Sequence, residues 1–204
     1  MFGDLTLTYI LILIVCLLFS LVIHEFMHAY ASHQLGDTTA RDEGRLSLNP
    51  LVHIDPFMTV ILPIITLIVF QVPFLAAKPV PFDPGQVKFD EFGGAIIAAA
   101  GPFSNLGLAL IGAIILNLGS LGSFMTDVLQ IFISLNVVLF VFNLIPIPPL
   151  DGSRVLYAFA PESVQQFMRN IEPLGFFIIM ALVFVGGLGS LVSDISQSVL
   201  NFLP

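Results

Sequence analysis

Cysteine occurs once in this chain, at position 16, so no disulfide can form within it and no thiolate metal site can be built. Basic residues are nearly as scarce. Six Lys and Arg are scattered over 204 positions without a stripe or cluster, which gives nucleic-acid binding no support. The formal net charge of −8 reflects that scarcity rather than an acidic tract. Charged residues of all kinds reach only 10%, where a soluble domain carries about 25%. With a mean hydropathy of +1.01, the composition is that of an integral membrane protein. Internal repeats, low-complexity tracts and long polar linkers are also missing, so a single domain over residues 1–204 is expected. The N-terminus lacks the basic region of a signal peptide, and its apolar run leads straight into a polar motif. It is expected to be retained.

What the chain has in quantity is uncharged sequence. Such stretches cover residues 5–23, 57–77, 93–126, 128–150 and 173–193. Each can hold a helix of about 20 residues, the length a bilayer requires. Asp127 is the only charge between positions 93 and 150, and Gly119-Ser120-Leu121-Gly122-Ser123 supplies a turn that divides this region. The fold expected is an all-α membrane bundle of four to five transmembrane helices. Residues 57–77 contain Pro63 and Pro73, and proline in a helix interior breaks or kinks it. That stretch is therefore expected to be re-entrant or broken. If it does not cross, Arg41, Arg45, Lys78, Lys88, Arg154 and Arg169 all fall on one side; if it does, they divide two against four. The positive-inside rule favours the first arrangement, with that side cytoplasmic.

Into the end of the first apolar run is set His24-Glu25-Phe26-Met27-His28. Residues four apart on a helix lie nearly one above the other, so both imidazoles can reach one metal ion while Glu25 projects toward a metal-bound water. Such matches also occur by chance on inert helix surfaces. Inside a bilayer, however, unpaired His and Glu are costly and usually functional. A third ligand is needed. A metzincin would have Gly at position 31 and His at position 34, where this chain has Ala31 and Gln34. His33 is turned well off the metal face. Asp151, which closes Asn143-Leu144-Ile145-Pro146-Ile147-Pro148-Pro149-Leu150-Asp151-Gly152, is the better ligand; it can equally cap a following helix. Asp151 and the HEFMH motif can share a metal only if they end on the same side. That also requires residues 57–77 not to cross.

These motifs resemble the site-2 protease family of intramembrane zinc metalloproteases, in its compact prokaryotic group without a PDZ domain. The resemblance rests on residues 24–28, on Asn49-Pro50-Leu51-Val52-His53-Ile54-Asp55-Pro56, on Ala77-Lys78-Pro79-Val80-Pro81, on Gly101-Pro102 with Asn105, and on the run ending at Gly152. Phe82-Asp83-Pro84 stands where Val-Asn-Pro is more usual. The resemblance implies that His24, His28 and Asp151 hold Zn2+ and that Glu25 is the general base. It also implies a prokaryotic multi-pass cell-membrane protein whose site opens to the cytoplasm.

The function expected is endoproteolysis in or near transmembrane segments of membrane-protein substrates within the lipid bilayer. Asn143, Asn105 and His53 are candidates for contact with substrate or transition state, although helix–helix hydrogen bonding accounts for Asn equally well. Asn136 and Asn117 are read as packing residues. Residues 78–90 are expected to form a short β-like hairpin near the active site, whose edge at Val80 and Phe82 pairs with substrate; the plainer reading is an interfacial loop. Two other functions compete: a non-catalytic metal-binding membrane protein, and a zinc hydrolase acting on a lipid or small amide. A carrier would need polar groups along a path through the membrane, whereas here they gather at one end.

Overall fold

The structure, a computed structural model, describes residues 7–70, 78 and 80–204. Helix α1 (Leu7–Gln34) is a near-continuous run of Leu, Ile, Val and Phe with no Pro or Gly to interrupt it, and it carries residues 24–28 near its C-terminal end. A short α2 (Thr39–Asp42), a single 3-10 turn (Pro50–Val52) and a wide helical turn (Pro56–Ile61) lead into α3 (Leu62–Phe70). Two long helices follow, α4 (Asp90–Leu118) and α5 (Ser123–Asn143), joined through Gly119 and Gly122. The C-terminal third comprises α6 (Asp151–Phe159), the amphipathic α7 (Glu162–Ile171), α8 (Gly175–Phe184) and α9 (Gly187–Phe202).

Four helical segments are long and apolar enough to cross a membrane: Leu7–Gln34, Asp90–Leu118, Ser123–Asn143 and Glu162–Phe184. The fourth differs from expectation. The stretch 173–193 is divided at Gly186, whose φ of 84° is left-handed, so α8 ends and α9 turns away. Leu188, early in α9, packs with Ile145, Leu150 and Ile179. Val199, Leu200 and Leu203 pack on the cluster of Ala109, Ala113, Ile133, Val137 and Val141. Helix α9 thus runs back along α5, antiparallel to it.

Small residues on α4 govern the packing. Ala98, Ala109 and Ala113 are buried, letting α1 and α5 approach its backbone closely. The opposite face of α1 exposes Leu7, Leu11, Ile14, Val15 and Phe19, which a bilayer would cover.

Among the described residues there is no β-strand. The β-like hairpin expected at 78–90 is instead irregular through 80–83 and turned through 84–89. Its backbone is engaged elsewhere: Lys88 N donates to Leu35 O at 2.9 Å and Asp83 N donates to Asp37 Oδ2 at 3.0 Å. Phe89 and Asp90 are left-handed, with φ of 71° and 49°, and this swings the chain from the turns into α4. The Lys88–Leu35 bond also sets the end of α1 beside the start of α4. Lys78 N donates to His53 O at 3.1 Å, so the chain between those residues leaves and returns at one place. Residues 71–77, the last part of the stretch expected to be re-entrant, lie outside the described residues.

Candidate metal centre

Three side chains expected to share a metal come together at the junction of α1, α4 and α6. His24 and His28, one turn apart on α1, bring their Nε2 atoms to 3.0 Å. Asp151 Oδ2 lies 3.2 Å from His24 Nε2 and 3.4 Å from His28 Nε2. Both histidines are buried and Asp151 is partly so. Asp151 is the first residue of α6. It arrives there because the proline run after α5 cannot continue that helix, and because Gly152 lets α6 press on the end of α5. A Cβ on Gly152 would strike the Leu144 carbonyl and stand 2.7 Å from Ile145 O.

The outer nitrogen of each imidazole is already spoken for. His24 Nδ1 lies 2.7 Å from Asn105 Oδ1, and His28 Nδ1 lies 2.7 Å from the carbonyl of Ile97. Both partners can only accept, so each ring carries its proton on Nδ1 and turns an Nε2 lone pair inward. Two lone pairs and a carboxylate oxygen converging in a buried space repel unless a cation joins them. The donor set of two imidazoles and one carboxylate suits Zn2+, whose catalytic sites use three protein ligands and keep a fourth position open. Space is reserved as well: a Cβ on Gly101 would fall against His28 Nε2 and 2.7 Å from His24 Nε2. Only glycine leaves that volume free.

Glu25 is 8% exposed and near enough to His28 to interact with it electrostatically. Among the described residues its carboxylate has no hydrogen-bond partner, and its oxygens are not sealed from the surface.

The other candidates separate. Asn105 is fully buried, and all its polar atoms are engaged. Its Oδ1 faces His24, its Nδ2 donates to Asn136 Oδ1 at 2.9 Å, and Asn136 donates on to Phe132 O at 2.9 Å. Asn105 thus lies behind His24, and Asn136 lies behind Asn105. Asn143 is half-buried at the end of α5; its Nδ2 donates to Leu139 O at 3.0 Å and its Oδ1 has no partner among the described residues. His53 is buried among residues 45–53, with Nε2 2.7 Å from Ser47 O, and does not join the group of His24, His28 and Asp151. Val80 and Phe82 are half-buried. Phe82 lies under the Arg154 guanidinium at 5.2 Å and lines a cleft of about 610 Å³ with Pro84, Gly94, Pro148 and Ser153. None of His24, Glu25, His28 and Asp151 lines this cleft; it shares α6 with the centre, through Ser153 and Arg154 within one turn of Asp151.

Asp37 was not among the sequence candidates, yet it is fully buried at the base of residues 80–89. It accepts from Ser32 Oγ at 2.7 Å, Thr39 N at 2.9 Å and Asp83 N at 3.0 Å. Burial pushes its carboxyl up, but the hydrogen bonds from Thr39, Ser32 and the Asp83 amide outweigh that and hold it below its ordinary range. Its place after Gly36 and before Thr38-Thr39 was the available signal: an acid between a helix-ending glycine and a new helical turn.

The sequence profile described as peptidase family M50 matches residues 119–186, which include Asp151. Over 189 residues the chain is 39% identical to the Bacillus subtilis (strain 168) protein named "Putative zinc metalloprotease YwhC", covering 88% of this chain and 83% of that protein. It is 30% identical over 178 residues to "Putative zinc metalloprotease Rip2" of Mycolicibacterium smegmatis, and 28% identical over 173 residues to the protein of that name in Mycobacterium tuberculosis H37Rv. It spans 64% and 62% of the length of those two. No solved structure matches it.

Proposed function

The chain belongs to peptidase family M50, and on that premise we propose that it is a zinc endopeptidase of bacterial membranes that hydrolyses peptide bonds in or near the transmembrane segments of other membrane proteins. One observation carries the reading most: two inward-facing Nε2 atoms 3.0 Å apart, their rings fixed from behind, with a carboxylate oxygen 3.2 and 3.4 Å away. His24, His28 and Asp151 are the metal ligands. Bound there, Zn2+ would supply Lewis acidity toward water and the scissile carbonyl.

The protein's own groups do the rest. Glu25, buried and unpartnered, takes a proton from the attacking water and delivers it to the amine that leaves, so each cleavage consumes one water and restores the carboxylate. Asn105 positions His24 through its Nδ1 and does not touch substrate. Asn143 is the better placed of the two for substrate, because its Oδ1 is uncommitted and it closes the helix that leads to Asp151. His53 is assigned to the loop rather than to catalysis. The cleft beside Ser153 receives extended polypeptide, with Val80 and Phe82 offering backbone groups for strand-like pairing.

The whole chain is read as one domain lodged in the cell membrane. Residues 57–77 do not cross it, a reading supported by the His53–Lys78 and Leu35–Lys88 backbone bonds. All six basic residues then share the side of the metal centre, which the positive-inside rule makes cytoplasmic. The test is metal analysis and cleavage of transmembrane peptides by the wild type and Glu25→Gln. Retained zinc with lost cleavage is expected; equal cleavage by both would refute the mechanism.

A further inference from the structure

Asp37 keeps none of its exposure, and no Lys, Arg or His pairs with it among the described residues. Burying a carboxylate without a counter-ion is costly unless hydrogen bonds satisfy it. Here the donors come from three elements. Ser32 lies in the last turn of α1, Thr39 opens α2, and Asp83 comes from 46 residues away. A capping role accounts for the Thr39 bond alone, and a helix of four residues needs no fully buried acid to start it. The Asp83 bond serves something else. Two residues away from Asp37, Leu35 O accepts from Lys88 N at 2.9 Å, so residues 83–88 are pinned at both ends to the terminus of the helix that carries His24 and His28. The pinned turns then pass through two left-handed residues, Phe89 and Asp90, a backbone conformation that persists only where its surroundings enforce it. Phe82, Pro84 and Gly85, which flank the pinned amide, form one wall of the cleft that Ser153 and Arg154, in the first turn of α6 after Asp151, also line.

We infer that Asp37 is a positioning residue for substrate: by holding the Asp83 amide it fixes the wall at Phe82–Gly85 and so sets how tightly the cleft grips an extended polypeptide. The inference rests on the endopeptidase reading for the nature of the occupant, but not for the existence of the clamp.

The test uses the full chain in lipid nanodiscs. In the Glu25→Gln background, binding of a fluorescent transmembrane peptide with an extended flank is measured with and without Asp37→Ala. Hydrogen exchange and zinc content are followed in the same samples. Dissociation constants about tenfold weaker are expected from losing one buried charged acceptor. Exchange should quicken in peptides covering 83–88 while those covering 20–30, and the zinc content, stay as they were. The milder Asp37→Asn keeps an oxygen for the Thr39 amide but turns an NH2 toward Ser32 and Asp83; it should fold normally and fall between. With Glu25 intact, Asp37→Asn should raise KM and leave kcat within about twofold, the pattern of lost uniform binding. Unchanged exchange at 83–88, unchanged binding, or zinc and kcat falling together at constant KM would overturn the inference. Failure of the endopeptidase reading shows separately, as a wild type that binds the peptide and does not cut it.

Discussion

An imidazole that donates from Nδ1 has one place left to bind, and at this centre two of them are aimed at the same point. The acceptors that aim them are unlike. Ile97 offers a backbone carbonyl of α4. Asn105 offers a side chain, and can therefore be removed. In Asn105→Ala, His24 keeps its place on α1 but loses the bond that fixes its tautomer. Zinc affinity should fall about 10- to 100-fold, read by competition with a chromogenic chelator, while the fold survives. Gly101→Ala acts from the other side by filling the space between the rings. It should leave almost no bound metal at any zinc concentration the protein tolerates, as elemental analysis would show. The gathering of His24 and His28 was legible in the sequence because helical spacing is local: with Glu25 they announce themselves within one turn. Asn105 stood out in the sequence as a candidate for substrate contact, but not as the partner of His24, and the setting of Asp37 suggested only a helix start; the partners that define both lie 81 and 46 residues away.

At the scale of elements, the centre depends on how α6 meets α5. The prolines between them end one helix, which the sequence makes plain, but the direction of the next is set by a single close approach. Gly152 touches the Leu144 and Ile145 carbonyls, and a methyl group there must push α6 away, carrying Asp151 with it. Gly152→Ala should cost about 1–3 kcal/mol through overpacking. It should also weaken zinc binding without changing either histidine, so that thermal stability and zinc content fall together. Asp151→Asn, in contrast, should lose zinc with little loss of fold. The elements that sequence reasoning misjudged share a cause. Alternating apolar residues at Val80, Phe82, Val87 and Phe89 suggest strands, yet a strand needs a partner. The donors of that segment are taken instead by Leu35 and Asp37 at the end of α1. Residues 173–193 are apolar enough for one span, yet Gly186 in a left-handed conformation turns the chain so that α9 covers α5. Hydropathy reports what a stretch can be buried in, not where it turns.

For the whole molecule, the number of crossings and the chemistry constrain one another. His24 and His28 come near the end of α1, and Asp151 follows α5. Helices α4 and α5 form one out-and-back pair, so everything between α1 and α4 must make an even number of crossings. The Leu35–Lys88 bond joins the two ends of that interval at 2.9 Å, and the His53–Lys78 bond closes a smaller loop within it. Two crossings would need a second apolar segment between residues 36 and 87, and residues 57–77 are the only uncharged stretch of that length there. Zero crossings is thus the economical answer. It places Gly44, Gly85 and Gln166 on one face and Ser120, in the turn between α4 and α5, on the other. In a Cys16→Ser background, single cysteines at these four positions should divide three against one toward a membrane-impermeant maleimide. The three should react only when the cytoplasmic face is opened, and Ser120→Cys should react from outside. Labelling of position 44 together with position 120, with 85 and 166 on the opposite face, would mean that residues 57–77 span the bilayer. In that case His24 and Asp151 could not meet, and the Leu35–Lys88 bond could not form.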